Sequence, residues 1–380
     1  MLFAGFFSTS FSTTKSKQNS FEPASKRDTI VVDKTEKKDF KLFHLVRYSN
    51  TPQNLMPYLH PTKIANERML LNLDNFPDIE SIKSFALNCK SNEPVTLDLE
   101  TWPYYPAPKL TNTIDDFLNV ITTFKSVNNT SPIGFYGVPP KQAYQWKKID
   151  PVNNPRGYAG WKKISDSLGR TAEKVDIFLP SFYMYNPDTV GWREMVDTTL
   201  AAIKRYSISK PVYAYIWPQY HQGKDFYSLQ FIDTAIWRYQ LEVLYNRVNG
   251  CIIWTSNKDH DGKRISWDPN MPWWQVTKSF LVNKSLIAPF VLDSFRVARS
   301  DKKVTIKWST STDTTTHYFI VERSKDSINF KTVSAPISSL HSYYTENVYQ
   351  YEDKHPFKNK TYYRIQIMDK KGKISYSGIQ

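Results

Sequence analysis

The chain is 380 residues long, 40% hydrophobic and 23% charged, with a formal net charge of +14. No apolar run approaches the roughly 20 residues of a membrane span, and two cysteines, Cys89 and Cys251, exclude a disulfide-rich scaffold and any multi-cysteine zinc site. From Ala288 onward there are 15 Lys and Arg against 9 Asp and Glu, so the excess is spread along the chain and argues only weakly for a nucleic-acid partner.

Residues 1–12 are apolar and small but lack the basic stretch of a full signal peptide, and read as the remnant of a longer one. Residues 13–38 are rich in Lys, Ser, Thr and Asp without apolar periodicity, the composition of a disordered linker. From residue 40 to 283, short β-prone runs alternate with amphipathic stretches. The spacing predicts strands at 42–48, 68–73, 95–100, 133–137, 175–183, 211–217 and 250–255, with helices at 114–125, 191–206 and 226–248. Strand, helix, strand in repeated alternation implies parallel strands with crossover helices. Seven strands without a Gly-rich phosphate loop after the first suit a β/α barrel better than an open doubly wound sheet.

Near Pro289 the pattern changes. The segments 290–298, 304–309, 318–324, 330–333, 349–353, 361–368 and 374–377 are short, alternating and separated by polar turns, which predicts an all-β sandwich. Its Tyr343-Tyr344 and Tyr362-Tyr363 pairs are expected to serve core and corner, with sugar binding as the alternative. The fold class is therefore α/β, a TIM-like barrel of seven strands plus a C-terminal sandwich. The expected division is 1–38 leader and linker, 39–287 barrel and 288–380 sandwich.

The most informative segment is Asp98-Leu99-Glu100-Thr101-Trp102-Pro103-Tyr104, which follows the β-prone run Glu93-Pro94-Val95-Thr96-Leu97. In a strand, residues i and i+2 share a face roughly 6.5–7 Å apart, so Asp98 and Glu100 would lie together with Leu99 packing behind them. Like charges held that close split into one raised and one ordinary pKa, a route to a general acid at neutral pH. A D-x-E alone also describes a solvated acidic turn. The adjoining Trp102, Tyr104 and Tyr105 favour chemistry, because rings beside carboxylates suit a sugar cleft. Tyr136, Tyr183, Tyr185, Tyr215, Trp217, Tyr220 and Trp254 also fall at or beyond strand C-termini, where barrel enzymes build their sites. The run Lys258-Asp259-His260-Asp261-Gly262 reads as a turn, not a metal site, and no metal or cofactor is expected.

The barrel resembles the hyaluronidase family of glycoside hydrolases. Asp98-Leu99-Glu100-Thr101-Trp102 fits its D-x-E-x-W motif, Gly134-Phe135-Tyr136-Gly137-Val138-Pro139 its G-F/Y-Y-G-x-P segment, and Pro180-Ser181-Phe182-Tyr183-Met184 its P-S-I-Y-M stretch. Ala214-Tyr215-Ile216 and Gly250-Cys251-Ile252-Ile253-Trp254 are similar to its P-Y-V and G-V-V-L-W runs. The tail resembles the fibronectin type III-like modules that end many secreted proteins of Bacteroidetes, through Val304-Thr305-Ile306-Lys307-Trp308, Phe319-Ile320-Val321-Glu322-Arg323-Ser324 and Tyr362-Tyr363-Arg364.

The resemblance implies a retaining, substrate-assisted glycosidase: Glu100 as proton donor, Asp98 orienting a 2-acetamido group, Tyr215 donating to its oxygen and Trp254 flooring the sugar. Trp102, Tyr136, Tyr183, Tyr185 and Trp217 complete the expected substrate-binding set. The chain departs from the family at Pro103, where Arg is usual, and at Leu179, where Tyr is usual; Tyr183 or Tyr185 are the neighbours placed to replace that hydroxyl. The implied partner is an N-acetylhexosamine-containing polysaccharide, acidic ones included, met by a secreted, periplasmic or surface-bound bacterial monomer without nucleic acid or a membrane span. The alternative is a catalytically weak, carbohydrate-binding surface protein on the same barrel.

Overall fold

The computed structural model describes residues 39–380 except Asn54, Met56, Pro57, Asp225, Ala288, Pro289, Asp301, Thr314 and 341–346. The expectations for Met1–Lys38 and for Tyr343-Tyr344 fall outside the described residues.

Seven short strands form the first part: β1 (Lys41–Leu45), β2 (His60–Pro61), β3 (Lys63–Asn66), β4 (Val95–Asp98), β5 (Ile133–Phe135), β6 (Tyr213–Ile216) and β7 (Gly250–Trp254). They pair in parallel in two sheets, β2-β1-β7-β6 and β3-β4-β5. At Thr62 the chain leaves its pairing with β1 and takes up pairing with β4, which joins the sheets on one side. Isolated parallel bridges join them on the other, Tyr136 with Leu179, Phe178 with Val212 and Ser181 with Tyr215. The pairing thus returns to its start, as in a barrel. Parallel strands covered on both faces read as continuous apolar runs, and Val95, Leu97, Ile133 and Ile252 are fully buried.

The helices are α1 (Glu67–Leu70), α2 (Ile79–Leu87), α3 (Ala107–Lys125), α4 (Trp146–Ile149), α5 (Pro155–Ser167), α6 (Gly169–Lys174), α7 (Thr189–Arg205), α8 (Thr234–Tyr245) and α9 (Pro272–Asn283). In α3 the spacing of Ile114, Phe117, Val120, Ile121 and Phe124 puts one apolar stripe against β4 and β5, in a core that also holds Leu97, Leu99 and Phe135. A second core gathers Leu42, Ile216, Trp237, Ile253, Trp273 and Phe280 around β1, β6 and β7. The barrel interior is a third, with Phe43, Ile177, Leu179, Tyr215 and Ile252 facing one another. Gly134 permits the close approach there: a Cβ on it would stand 2.4 Å from the Ile177 carbonyl oxygen.

Several sequence expectations need correction. The predicted strand 68–73 is not a strand. β3 lies just before it, and Arg-Met-Leu, helix formers without β-branching, turn instead into α1 with Leu70 buried. The stretch 175–183 makes only isolated bridges, because Pro180 has no N–H to continue a ladder. The helix predicted at 226–248 begins later, where the Asp233 side chain caps it by accepting from the Ala235 N–H. The one predicted at 114–125 begins earlier, since Pro108 is tolerated in a first turn. Helices α5 and α9 escaped prediction: two glycines in one and aromatic, β-branched residues in the other give weak propensity, and burial of Trp161, Trp273 and Trp274 supplies the stability.

The C-terminal part is antiparallel. β8 (Phe290–Ser300), β9 (Lys303–Asp313) and β13 (Asn347–Asp353) form one sheet, while β10 (Thr316–Ser324), β11 (Lys331–Thr332), β12 (Ile337–Ser338), β14 (Tyr362–Asp369) and β15 (Ile374–Tyr376) form the other. Ile306, Trp308 and Tyr349 from the first share a core with Phe319, Val321, Tyr363 and Ile365 from the second. Tyr363 is fully buried, and its hydroxyl donates to Asp353 Oδ2 at 2.8 Å.

Candidate active site

The alternation of β4 decides what faces the barrel centre. Leu97 and Leu99 pack outward against α3, while the Thr96 hydroxyl meets that of Tyr215 across the interior. Asp98 ends the strand on this inward side and Glu100 follows beyond it, so both carboxyls enter one cleft, as the i, i+2 spacing required. Glu67, the first residue of α1, stands beside them. Its Oε1 accepts from the Glu100 N–H at 2.8 Å and the Thr101 N–H at 2.6 Å.

The cleft has a volume of about 360 Å3 and opens at the C-terminal ends of the strands. Arg47 enters it after β1, Asn66 from β3, Tyr136 after β5, Tyr215 from β6, Trp217 just after β6 and Trp254 from β7. Tyr183 stands between Trp217, at 5.4 Å edge-on, and Tyr136, at 6.0 Å. Trp217 and Trp254 meet at right angles, 4.5 Å apart. Such a wall offers apolar faces to a sugar ring and polar edges to its hydroxyls. The Tyr136 hydroxyl is bonded to Ser181 Oγ at 2.9 Å and the Trp217 N–H to Gln219 Oε1 at 3.1 Å, so these rings are fixed before any ligand arrives.

The electrostatics single out Asp98. Its Oδ1 is buried and has no hydrogen-bond partner. Burial, then the charges of Glu100 and Glu67, push its pKa up to about 7, against a weaker downward pull from Arg47. Glu100 is more open to solvent, yet partial burial and Glu67 raise it too. The expected split into one raised and one ordinary carboxyl is thus replaced by two raised ones, with the larger effect on Asp98. Burial raises Tyr136, Tyr183 and Tyr215 well above the ordinary phenol range, so all three are neutral hydrogen-bonding groups. His221 lines the cleft, and burial lowers its pKa.

Of the residues singled out from sequence, the cleft gathers Asp98, Glu100, Tyr136, Tyr183, Tyr215, Trp217 and Trp254. Trp102 is not among the residues lining this cleft: its ring packs on Phe117 at 5.1 Å in the helix-facing core and its N–H donates to the Asn75 carbonyl at 3.0 Å, while it borders an adjoining depression together with Glu100 and Tyr136. Tyr185 stacks on His221 at 4.5 Å and lines a neighbouring depression, with its hydroxyl buried and unpartnered. Leu179 is fully buried in the barrel interior and offers no hydroxyl.

Arg47, Glu67, Asn66, Gln142 and Tyr144 were missed. Arg47 falls inside the strand expected at 42–48 but lies beyond the observed end of β1 at Leu45, and near either end it was accessible to the rule about strand ends. Glu67 was hidden by the misplaced strand at 68–73. Tyr144 adopts a left-handed backbone, φ +63, that sequence does not signal and that costs energy for an aromatic residue. In the 258–262 run, the Asp259 side chain accepts from the Lys263 N–H at 2.8 Å and Gly262 takes φ +78, which makes it a turn. Among the described residues there is no cluster of three or more His, Cys, Asp or Glu able to hold a metal, and no helix long and apolar enough to cross a membrane.

No protein-family model and no curated protein matches the chain. The solved structures similar to it include a hyaluronidase and other glycoside hydrolases. Bee venom hyaluronidase in complex with a hyaluronic acid tetramer is 15% identical, over 57% of this chain and 91% of that one, with a TM-score of 0.42. A monoclinic form of bee venom hyaluronidase is 16% identical, over 64% and 97%, with a TM-score of 0.43. A glucosidase from Croceicoccus marinus is 8% identical, over 78% and 76%, with a TM-score of 0.39. Overlaps of this depth leave the chemistry to be read from the side chains of the cleft.

Proposed function

We propose that the protein is a retaining glycosidase acting on an N-acetylhexosamine-containing polysaccharide. One observation carries the reading: two carboxyls two residues apart meet in an aromatic-walled cleft, and the inner one, Asp98, is unpartnered and poised near neutrality. The proton that the free pair holds mainly on Asp98 passes to Glu100 as substrate binds, and Glu100 gives it to the glycosidic oxygen as the bond to the anomeric carbon breaks. The substrate's own acetamido oxygen closes on that carbon, forming an oxazolinium, while ionised Asp98 accepts the acetamido N–H and faces the developing positive charge. Water, deprotonated by Glu100, then opens the ring, and two inversions give net retention. With Thr96 as the donor in their shared hydrogen bond, the Tyr215 O–H is left to donate to the acetamido oxygen.

This chemistry needs one proton on the pair, so activity belongs to a pH window bounded above by the loss of that proton. The reading is tested with hyaluronan, chondroitin and chitin oligosaccharides and mass spectrometry of the products. Glu100→Gln is expected to abolish release of reducing ends while leaving binding largely intact; undiminished release by that variant would sink the assignment.

A second reading, a carbohydrate-binding surface protein with little turnover, is favoured by one specific observation. The Tyr215 hydroxyl already has Thr96 as a partner, and Leu179 supplies no substitute. Glycan-array binding without products from any bound glycan supports that alternative. We further read the pairing as a barrel of seven staves in domain 39–287, with 288–380 as a separate fibronectin III-like module, in a monomer working outside the cytoplasm.

A further inference from the structure

We propose that Glu67 is a positioning residue for the carboxyl pair: its carboxylate fixes the turn that presents Glu100, and its charge keeps a proton within the pair. The inference rests on the roles given above to Asp98 and Glu100, and extends them to a residue on a different strand-to-helix junction.

The geometry is specific. β4 ends at Asp98, and the chain must turn there to bring Glu100 to the rim. The two N–H groups of that turn, from Glu100 and Thr101, both donate to Glu67 Oε1. Hydrogen bonds from backbone N–H groups to a carboxylate are charge-assisted and short, stronger than those between neutral groups. Asn75 anchors the segment as well, through a long 3.4 Å contact of its side chain with the Thr101 hydroxyl and through its carbonyl, which accepts from the Trp102 N–H at 3.0 Å. Glu67 is placed for this work because β3 pairs in register with β4, Asn66 beside Asp98, and α1 starts at the next residue.

The charge has a second effect. Asp98, Glu100 and Glu67 line one depression together with Arg68. Among the described residues no ion pair neutralises Glu67, and the charge of Arg47, which also lines the cleft, acts on Asp98. His221 faces the cleft from the loop after β6. Glu67 raises the proton affinity of both members of the pair, a Coulombic effect that the partly buried site screens less than bulk water would.

Two variants of the full chain separate these roles. Glu67→Gln keeps an oxygen acceptor and removes the charge; Glu67→Ala removes both. In the Gln variant kcat on the acid side is expected to stay within about twofold of wild type, with the alkaline limb of kcat/KM moved down by about one pH unit. In the Ala variant kcat is expected to fall by roughly 10²-fold with a smaller change in KM, the cost of misplacing a reacting group. NMR titration of the Asp98 and Glu100 carboxyls, without substrate, should show both midpoints lower in Glu67→Gln. Unmoved midpoints overturn the proposal, as does an equal loss of kcat in the two variants with circular dichroism unchanged. If wild type cleaves none of the three glycans, the proposed reaction fails, and the titration still decides the role of Glu67.

Discussion

Two aspartates, each at the C-terminal end of a strand, separate the two regions of the molecule. Asp353 closes β13 in the antiparallel region and is 3% exposed. It accepts from Arg323 Nη1 at 2.9 Å, from the Tyr363 hydroxyl at 2.8 Å and from the His355 N–H at 3.0 Å. Burial alone would push its pKa up; these partners outweigh it and hold the carboxyl below its ordinary value. Asp98 closes β4 with a buried oxygen that meets no donor, and its pKa rises to about 7. The same residue type in the same kind of position is a structural anchor where its partners are supplied, and where they are withheld it is a carboxyl of raised proton affinity, the group proposed above to take part in catalysis. Neighbouring tyrosines follow suit: Tyr349 and Tyr363 are tied to Asp313 and Asp353, whereas Tyr183 and Tyr136 line a cleft.

The comparison can be broken at either end. The largest effect belongs to the reactive pair. Glu100→Gln should lower kcat by about 10³-fold or more, read as reducing ends released per unit time, with thermal stability essentially unchanged. On the structural side, Arg323→Met leaves Asp353 buried without its cation and should cost about 3–5 kcal/mol in urea unfolding; a loss under 1 kcal/mol would mean that Asp353 is no anchor. A smaller effect is expected at the cleft wall, where Trp254→Ala should reduce kcat/KM roughly 10-fold, mainly through KM, by removing a ring face from the sugar site.

Asp98 carries the two pH predictions. Because its pKa is about 7 in the folded chain, above the ordinary carboxylate value, the native state binds the extra proton. Its contribution to stability is present in acid and is lost as pH rises towards 7. Asp98→Asn should therefore raise stability at pH 8 by roughly 1–2 kcal/mol in the same urea assay, while abolishing turnover. In wild type, kcat/KM should decline as pH passes about 7, where the pair gives up its proton; a flat profile from pH 6 to 9 would exclude the pair as the source of that proton.

Much of this was legible before the structure. The alternation of strands and helices announced parallel pairing, the change near Pro289 marked the antiparallel region, and the i, i+2 spacing put Asp98 and Glu100 in one cleft with Leu99 behind. The failures were local. Trp102, read as a sugar-binding ring because it follows the carboxylates, packs its ring into the core and borders only the adjoining depression, since beyond the strand end the alternation of faces no longer applies. The junction of β3 and α1 was read as a strand because Met69, Leu70 and Leu71 form a short apolar run whose type short-range periodicity cannot settle.

Sequence by itself determined the kinds of element, their order and which carboxyls travel together, because periodicity and composition act over a few residues. Tertiary structure alone decided which of those groups find partners. Asp98 is left without a donor and is crowded by Glu67, 31 positions earlier in the numbering, because β3 and β4 pair in parallel register and deliver both residues to one end of the barrel. That encounter depends on strand order and register, which no local pattern in the chain expresses.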